Sequence, residues 1–192
     1  MSTTKPIRKK EDIEALKNYF LYTKHNMRNY IMVCLGINSA LRISDLLSLT
    51  WGDVYDFAKG CFREHIDIVE RKTGKPRESA LNTSATKALE SYKNSLPEIT
   101  EQTLLFPGRS GKKPLSRSQA YRILHSAGKE LHFETGLSCH SLRKTFGYHA
   151  WKMGVQPAML MQVFNHSSYQ VTRRYLGIEQ DDRDDVFKNI SL

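Results

Sequence analysis

Residues 139–154 read CHSLRKTFGYHAWKMG. Leu142, Phe146 and Trp151 recur at close to helical spacing, which predicts a helix over His140–Met153 with one face turned to a core. His140 and Arg143 lie three residues apart, so they share another face of that helix. A helix that opens with a histidine and an arginine side by side aims both at something beyond its own turn. What they meet depends on the polar residues that the rest of the chain brings to them.

Downstream, a helix over Pro157–Phe164 starts with proline in its first turn. FNHSSYQ then carries His166 just ahead of a serine-capped helix, Ser168–Leu176, with Tyr175 nine residues beyond His166. Upstream, helical periodicity covers Thr83–Leu96 and Ser116–His132, and the loop LFPGRSGKKPLS (105–116) between them is glycine-rich and basic. CFREHIDIVE (61–70) and ESAL (78–81) alternate apolar and polar residues around RKTGKPR, which reads as strand, turn, strand. Before these come a helix from Lys10 with Ile13, Leu16, Phe20 and Leu21 on one face, an apolar helix over Met27–Asn38, and a short one at Ser44–Leu49. The expected fold is mainly α with a small antiparallel β-sheet (α+β), one domain over residues 11–177. Residues 1–10, MSTTKPIRKK, read as a basic, flexible N-terminal arm. Residues 178–192 open acidic and close with Val186, Phe187 and Ile190, the pattern of an amphipathic helix that folds back or docks on a neighbour.

With 192 residues, 40% of them apolar, the chain can bury a sizeable core. A net charge of +9 points to a polyanionic partner. No secretory leader and no membrane-length apolar run is visible. Cys34, Cys61 and Cys139 form no CxxC pair, which argues for a reducing cytoplasm and against a disulfide framework or zinc site. No acidic cluster with magnesium spacing and no nucleotide-binding glycine loop is visible, so no metal and no cofactor are expected.

Two further basic residues matter. Arg42, in SALRISDLLSLTW, sits where an apolar helix gives way to a short one, and a guanidinium buried there unpaired would be costly. It is either salt-bridged, with Asp45 at hand, or aimed at an anion. Lys72 lies at the tip of the hairpin beside Thr73 and Gly74, where most lysines are simply solvated.

The ordered set ALRISDLLSLTW, RKTGK, HSLRKTF, FNHSS and RRYLG resembles the catalytic domain of the tyrosine recombinases, the family that includes the phage integrases. The resemblance runs from about Lys10 to Leu176 and implies the recombinase catalytic-domain fold. It also implies site-specific DNA cleavage and rejoining through a 3′-phosphotyrosine, without metal or ATP. The catalytic set it implies is Arg42, Lys72, His140, Arg143 and His166 around a scissile phosphate, with Tyr175 as nucleophile. Tyr169, only three residues past His166, sits too early on its helix to match. Expected partners are double-stranded DNA and further copies of the chain in a tetrameric synapse assembled through the tail, with an accessory DNA-bending protein as a further possibility. A cytoplasmic, nucleoid-associated location follows.

The family pattern usually has a separate core-binding domain ahead of the catalytic one, and none is expected here, where the first catalytic-domain helix follows Met1 almost at once. The chain therefore resembles the short, single-domain members, including the invertases that switch fimbrial promoters. Lys5, Arg8, Lys9 and Lys10 on the arm would compensate for the missing half of the clamp, and Arg117, Gln119 and Arg122 are candidates for base contacts. Ala40 and Asn165 stand where glycine is more usual; asparagine is the best substitute for a left-handed glycine. Competing readings are a DNA-binding regulator that keeps the fold without efficient turnover, and a type IB topoisomerase.

Overall fold

The computed structural model describes residues 4–178 together with 182, 187 and 188. α1 (Lys10–Asn18) runs into a π-helical turn at Tyr19–Thr23, and α2 (Met27–Asn38) follows, its N-cap Asn26 accepting the Asn29 N–H. α2 is apolar on nearly every side, and Ile31 to Leu35 are all buried, so the other helices pack around it. α3 (Ile43–Leu46) is a single turn, three residues shorter at its C-terminus than the periodicity suggests.

The alternating run 61–70 is two strands rather than one. β1 (Tyr55–Asp56) pairs antiparallel with β2 (Cys61–Phe62), and β3 (His65–Val69) pairs antiparallel with β4 (Pro76–Ala80), Val69 lying opposite Pro76. The break falls at Arg63, whose N–H bonds to the Val54 carbonyl and whose Nε donates to Gly52 O at 2.8 Å. These bonds commit the chain to the first hairpin before it can enter the second. α4 (Thr83–Asn94), α5 (Arg117–Glu130), α6 (Cys139–Lys152), α7 (Pro157–Phe164) and α8 (Tyr169–Leu176) lie within two residues of the helical periodicity.

Two apolar clusters form. The larger gathers α1, α2, α4 and α5 around Trp51, Leu89, Phe106 and Leu124; the smaller holds Ala40, Leu160, Phe164 and Leu176. α6 spans both, with Leu142 in the first and Phe146 and Trp151 packed against the second. That division explains why the quoted stretch spaces its apolar residues unevenly: it faces two cores. Gly147 is where α7 and α8 press closest, since a Cβ there would stand 2.4 Å from Leu176 Cδ2 and 2.6 Å from Phe164 Cζ.

Residues 4–9 correct one expectation. They are held against α6 rather than standing off as an arm: Ile7 N–H donates to Thr145 Oγ1 at 2.8 Å, and Lys144 Nζ donates to Thr4 O at 2.5 Å. Arg8 donates to Gly177 O at 2.5 Å, pairs with Asp182 and lies over the Tyr148 ring. The cause is Pro6-Ile7, a buried apolar pair inside a basic segment. Of the tail, Ile178 is buried and Phe187 exposed, while Val186 and Ile190 lie outside the described residues. Among the described residues no helix is long and apolar enough to cross a membrane.

Candidate active site

The site lies along the seam between the two clusters, where backbone geometry first sets the side-chain directions. After α2 the chain reverses through Ala40, at φ 53°. A left-handed non-glycine residue costs about 1–2 kcal/mol, and here the buried methyl joins the smaller cluster in partial return. The kink delivers Arg42 to the N-cap of α3. Asn165 makes the second reversal, at φ 54° and ψ 51°, between α7 and His166. That left-handed shape is one that asparagine tolerates best among residues with a Cβ.

Arg42 is salt-bridged, although not to Asp45. Its Nη1 lies 2.5 Å from Glu70 Oε1, and the same oxygen is 3.3 Å from Arg77 Nη1. Asp45, buried beneath, accepts the Arg71 N–H at 3.1 Å instead. Burial alone would raise the Glu70 carboxyl, but Arg42, Thr73 and Arg77 outweigh it and bring it down to about 2.

Arg143 is 4% exposed. Its guanidinium lies 5.0 Å over the Phe164 ring, and Nη2 makes a long bond, 3.5 Å, to Phe164 O. Nη1 is buried with no hydrogen-bond partner. Burial, mainly, lowers this guanidinium to about 10, with Arg77 and Arg42 adding to the effect. Buried donors are almost always satisfied, so one left open on a cation marks a place for an anion.

Tyr175, on α8, is half-buried between Phe164 at 5.5 Å and His166 at 5.1 Å, with Lys144 Nζ 5.3 Å over its ring. Burial raises its phenol, and the charges of Arg143 and Arg42, with a hydrogen bond to Arg143, oppose that rise. His166 stacks on Phe164, and its Nδ1 is 3.1 Å from Thr172 Oγ1. His140, at the start of α6, keeps a solvent-open edge. Lys72 stands in the exposed turn between β3 and β4, close enough for its charge to act on His140. The sequence-predicted residues therefore converge, with Lys72 on the rim. Gln119 is occupied in part by the α5 capping box, its Oε1 accepting the Ser116 N–H at 3.0 Å. Arg117 and Arg122 are exposed and, with Tyr121, Cys139 and His140, line an open groove of about 660 Å³. Lys5, Lys9 and Lys10 are exposed as well.

Sequence reasoning missed Glu70, Arg77 and Lys144. Lys144 follows Arg143 directly, yet nothing in the sequence marks it as buried against Thr4 and the Tyr175 ring. Among the described residues no group of His, Cys, Asp and Glu gathers to hold a metal ion.

Both histidines are lowered, chiefly by burial, then by Lys144 and Arg117 at His140 and by Arg143 and Arg42 at His166. Both are neutral at pH 7. The unfolded chain takes up protons below about pH 6.5 that the folded site resists. Their contribution to stability is thus complete above that pH and is lost as pH falls through it. Glu70 adds a second loss, from its ordinary 4.5 down to about 2. The melting temperature is expected to fall between about pH 7 and pH 5, and less in a His140→Gln/His166→Gln double variant. An equal fall in both proteins would show that other groups carry the acid sensitivity.

A sequence model of the phage integrase family matches residues 8–181. The chain belongs to that family. It is 40% identical over 185 residues to the probable integrase/recombinase YoeC of Bacillus subtilis, covering 94% of this chain and 93% of that one. It is 28% identical to the type 1 fimbriae regulatory protein FimE of Escherichia coli K12, over 86% of this chain and 82% of that one. The solved XerA recombinase superposes with a TM-score of 0.76 at 20% identity, covering all of this chain and 66% of XerA. XerH, solved in a post-cleavage complex with palindromic difH substrate, superposes at 0.73 and 16% identity, covering 98% of this chain and 54% of XerH. The shared fold is that of the tyrosine recombinase catalytic domain. A phage integrase family member of this kind carries out DNA strand cleavage and transfer.

Proposed function

We propose that this protein is a site-specific recombinase of double-stranded DNA in which Tyr175 is the nucleophile and Arg42, Lys72, His140, Arg143 and His166 serve the scissile phosphate. The observation that carries the reading is the open Nη1 of Arg143, a buried cation facing Tyr175 and Arg42 with a donor to spare.

A phosphodiester resists attack because its oxygens are anionic and its transition state gathers more charge. Arg42 and Arg143 each offer planar paired donors to the non-bridging oxygens, and fixed charge in a water-poor site is worth more than the same charge in solvent. Neutral His140 can accept the phenol proton, directly or through water, and His166 can hydrogen-bond the phosphate. The phenolate oxygen bonds to phosphorus, the P–O5′ bond breaks, and its electron pair goes to the 5′ oxygen, which takes a proton from Lys72. The 3′-phosphotyrosine so formed retains a reactive phosphodiester. A 5′-hydroxyl from the same or another strand then reverses the step, so no nucleotide hydrolysis is needed.

The exposed bases beside the groove, Arg117 and Arg122, and the N-terminal Lys5, Lys9 and Lys10 would contact the duplex. Assembly as a four-copy synapse belongs to the same reading, through the part of the tail beyond Asp182, whose carboxylate is held by Arg8, Tyr148 and Lys152 of the same chain.

The test is covalent capture. With nicked duplexes that lose the 5′ fragment after cleavage, the wild type is expected to give a protein–DNA adduct on a denaturing gel and Tyr175→Phe none, at equal DNA binding. Binding with no adduct across many duplexes would favour a regulator that keeps the fold without turnover.

A further inference from the structure

Glu70 contacts both halves of the site. Its side chain is 4% exposed and reaches Arg42 on one side and the turn carrying Lys72 on the other. Oε1 takes Arg42 at 2.5 Å and Arg77 at 3.3 Å, and Oε2 accepts the Thr73 hydroxyl at 2.7 Å. Its backbone closes the same turn: Glu70 N–H donates to Lys75 O at 2.9 Å, and Glu70 O accepts Gly74 N–H at 2.8 Å. Asp45 holds the near end of the turn through the Arg71 N–H. Arg77 in turn donates to Val163 O at 2.9 Å and Ala40 O at 3.3 Å, which fixes its own place between α7 and the Ala40 kink.

We propose that Glu70 is a positioning residue that sets the Lys72 turn in register with Arg42, so that the proton donor and the phosphate-binding arginine are placed by one carboxylate. The inference rests on the recombinase reading of the site and adds a residue to it. Lys72 is a long, exposed side chain on a two-stranded hairpin, and such a turn does not hold a general acid in place unaided. One rigid link from its base to the partly buried Arg42 guanidinium confines the search of the Lys72 ammonium to the neighbourhood of the phosphate that Arg42 binds. Glutamate suits the task because its two oxygens can be divided, one to the arginines and one to the turn. It also neutralises part of the repulsion among Arg42, Arg77 and Arg143, which act on one another across the site.

Leaving-group chemistry tests the link. A 5′-bridging sulfur in place of the scissile 5′ oxygen departs as a thiolate, which needs no proton, so it bypasses Lys72 while still requiring Arg42, Arg143 and Tyr175. Single-turnover cleavage is measured on oxygen and sulfur duplexes for wild type, Lys72→Ala, Glu70→Gln and Thr73→Val. A misplaced catalytic group costs up to about 10²-fold. Glu70→Gln is expected to lose on the order of 10–10²-fold on the oxygen duplex and to recover on the sulfur duplex, as Lys72→Ala does. Thr73→Val, which leaves the arginine pairs intact in an exposed turn, is expected to show a smaller loss with the same recovery. Wild-type rates for Glu70→Gln on oxygen, or equal losses on both duplexes, would overturn the proposal, the latter assigning Glu70 to Arg42 or to the fold alone. A wild type that forms no adduct on either duplex would instead sink the recombinase reading.

Discussion

Arg143→Met is expected to cut the single-turnover rate of adduct formation by on the order of 10³-fold while leaving the melting temperature unchanged or higher. The two effects separate for a physical reason. Among the described residues Arg143 is a buried cation with no carboxylate paired to it, an open Nη1 and only a long bond to Phe164 O beside the Tyr175 phenol, so in the free protein its charge is a burden. A methionine of similar length keeps the packing on Phe164 and removes that burden, as happens when other buried charges are replaced by apolar residues. The same charge is what a pentacovalent phosphorus needs, and losing a single neutral donor to a comparable oxyanion already costs about 10²–10³-fold. Chemical or thermal unfolding alongside the cleavage assay checks both halves. A variant that loses cleavage because it unfolds would make Arg143 a structural residue, and one that cleaves normally would remove it from the site.

Gly147→Ala acts on Tyr175 from behind. The added methyl would stand 2.4 Å from Leu176 Cδ2 and 2.6 and 2.7 Å from two Phe164 ring atoms, inside any real contact distance. Leu176 directly follows Tyr175, and Phe164 is the ring against which Tyr175, His166 and Arg143 all pack. Overpacking costs about 1–3 kcal/mol, and alanine returns about 1 kcal/mol through helix propensity. The expected result is a net loss of up to about 2 kcal/mol of stability. Activity should suffer more than that, because α8 must shift to relieve the clash. A displacement near 1 Å is worth about 10²-fold in rate. Cleavage at the wild-type rate would mean that the Tyr175 ring does not depend on the α6–α8 contact.

Much of this was legible from residues with local signatures. α6 and its histidine–arginine face follow from spacing along one helix, and the Asn165 reversal follows from the residue best able to replace a left-handed glycine. The hairpin around Lys72 follows from Thr73-Gly74 between alternating runs. What the sequence hides is tertiary. Glu70 sits at the end of a strand, where an acid reads as solvated, and only the approach of α3 makes it a buried partner of Arg42. Asp45, nearer in sequence, was the reasonable choice, yet the α3 turn points it beneath Arg71. The basic composition of residues 1–10 masks Pro6-Ile7, so the segment reads as an arm although its described part is packed on α6. Ala40 stands where glycine is more usual, yet the alanine itself does not announce a positive φ, because alanine takes that conformation only where a buried contact holds it.

The most direct measurement is the chemical identity of the bond in the captured adduct. Trypsin cuts after Arg174, which leaves Tyr175 at the head of the peptide YLGIEQDDR. Mass spectrometry of the nuclease-trimmed adduct is predicted to find the nucleotide on that peptide, joined through a 3′-phosphate to the phenol oxygen. A nucleotide on the peptide containing Tyr169, on any other residue, or joined through its 5′-phosphate would contradict the account.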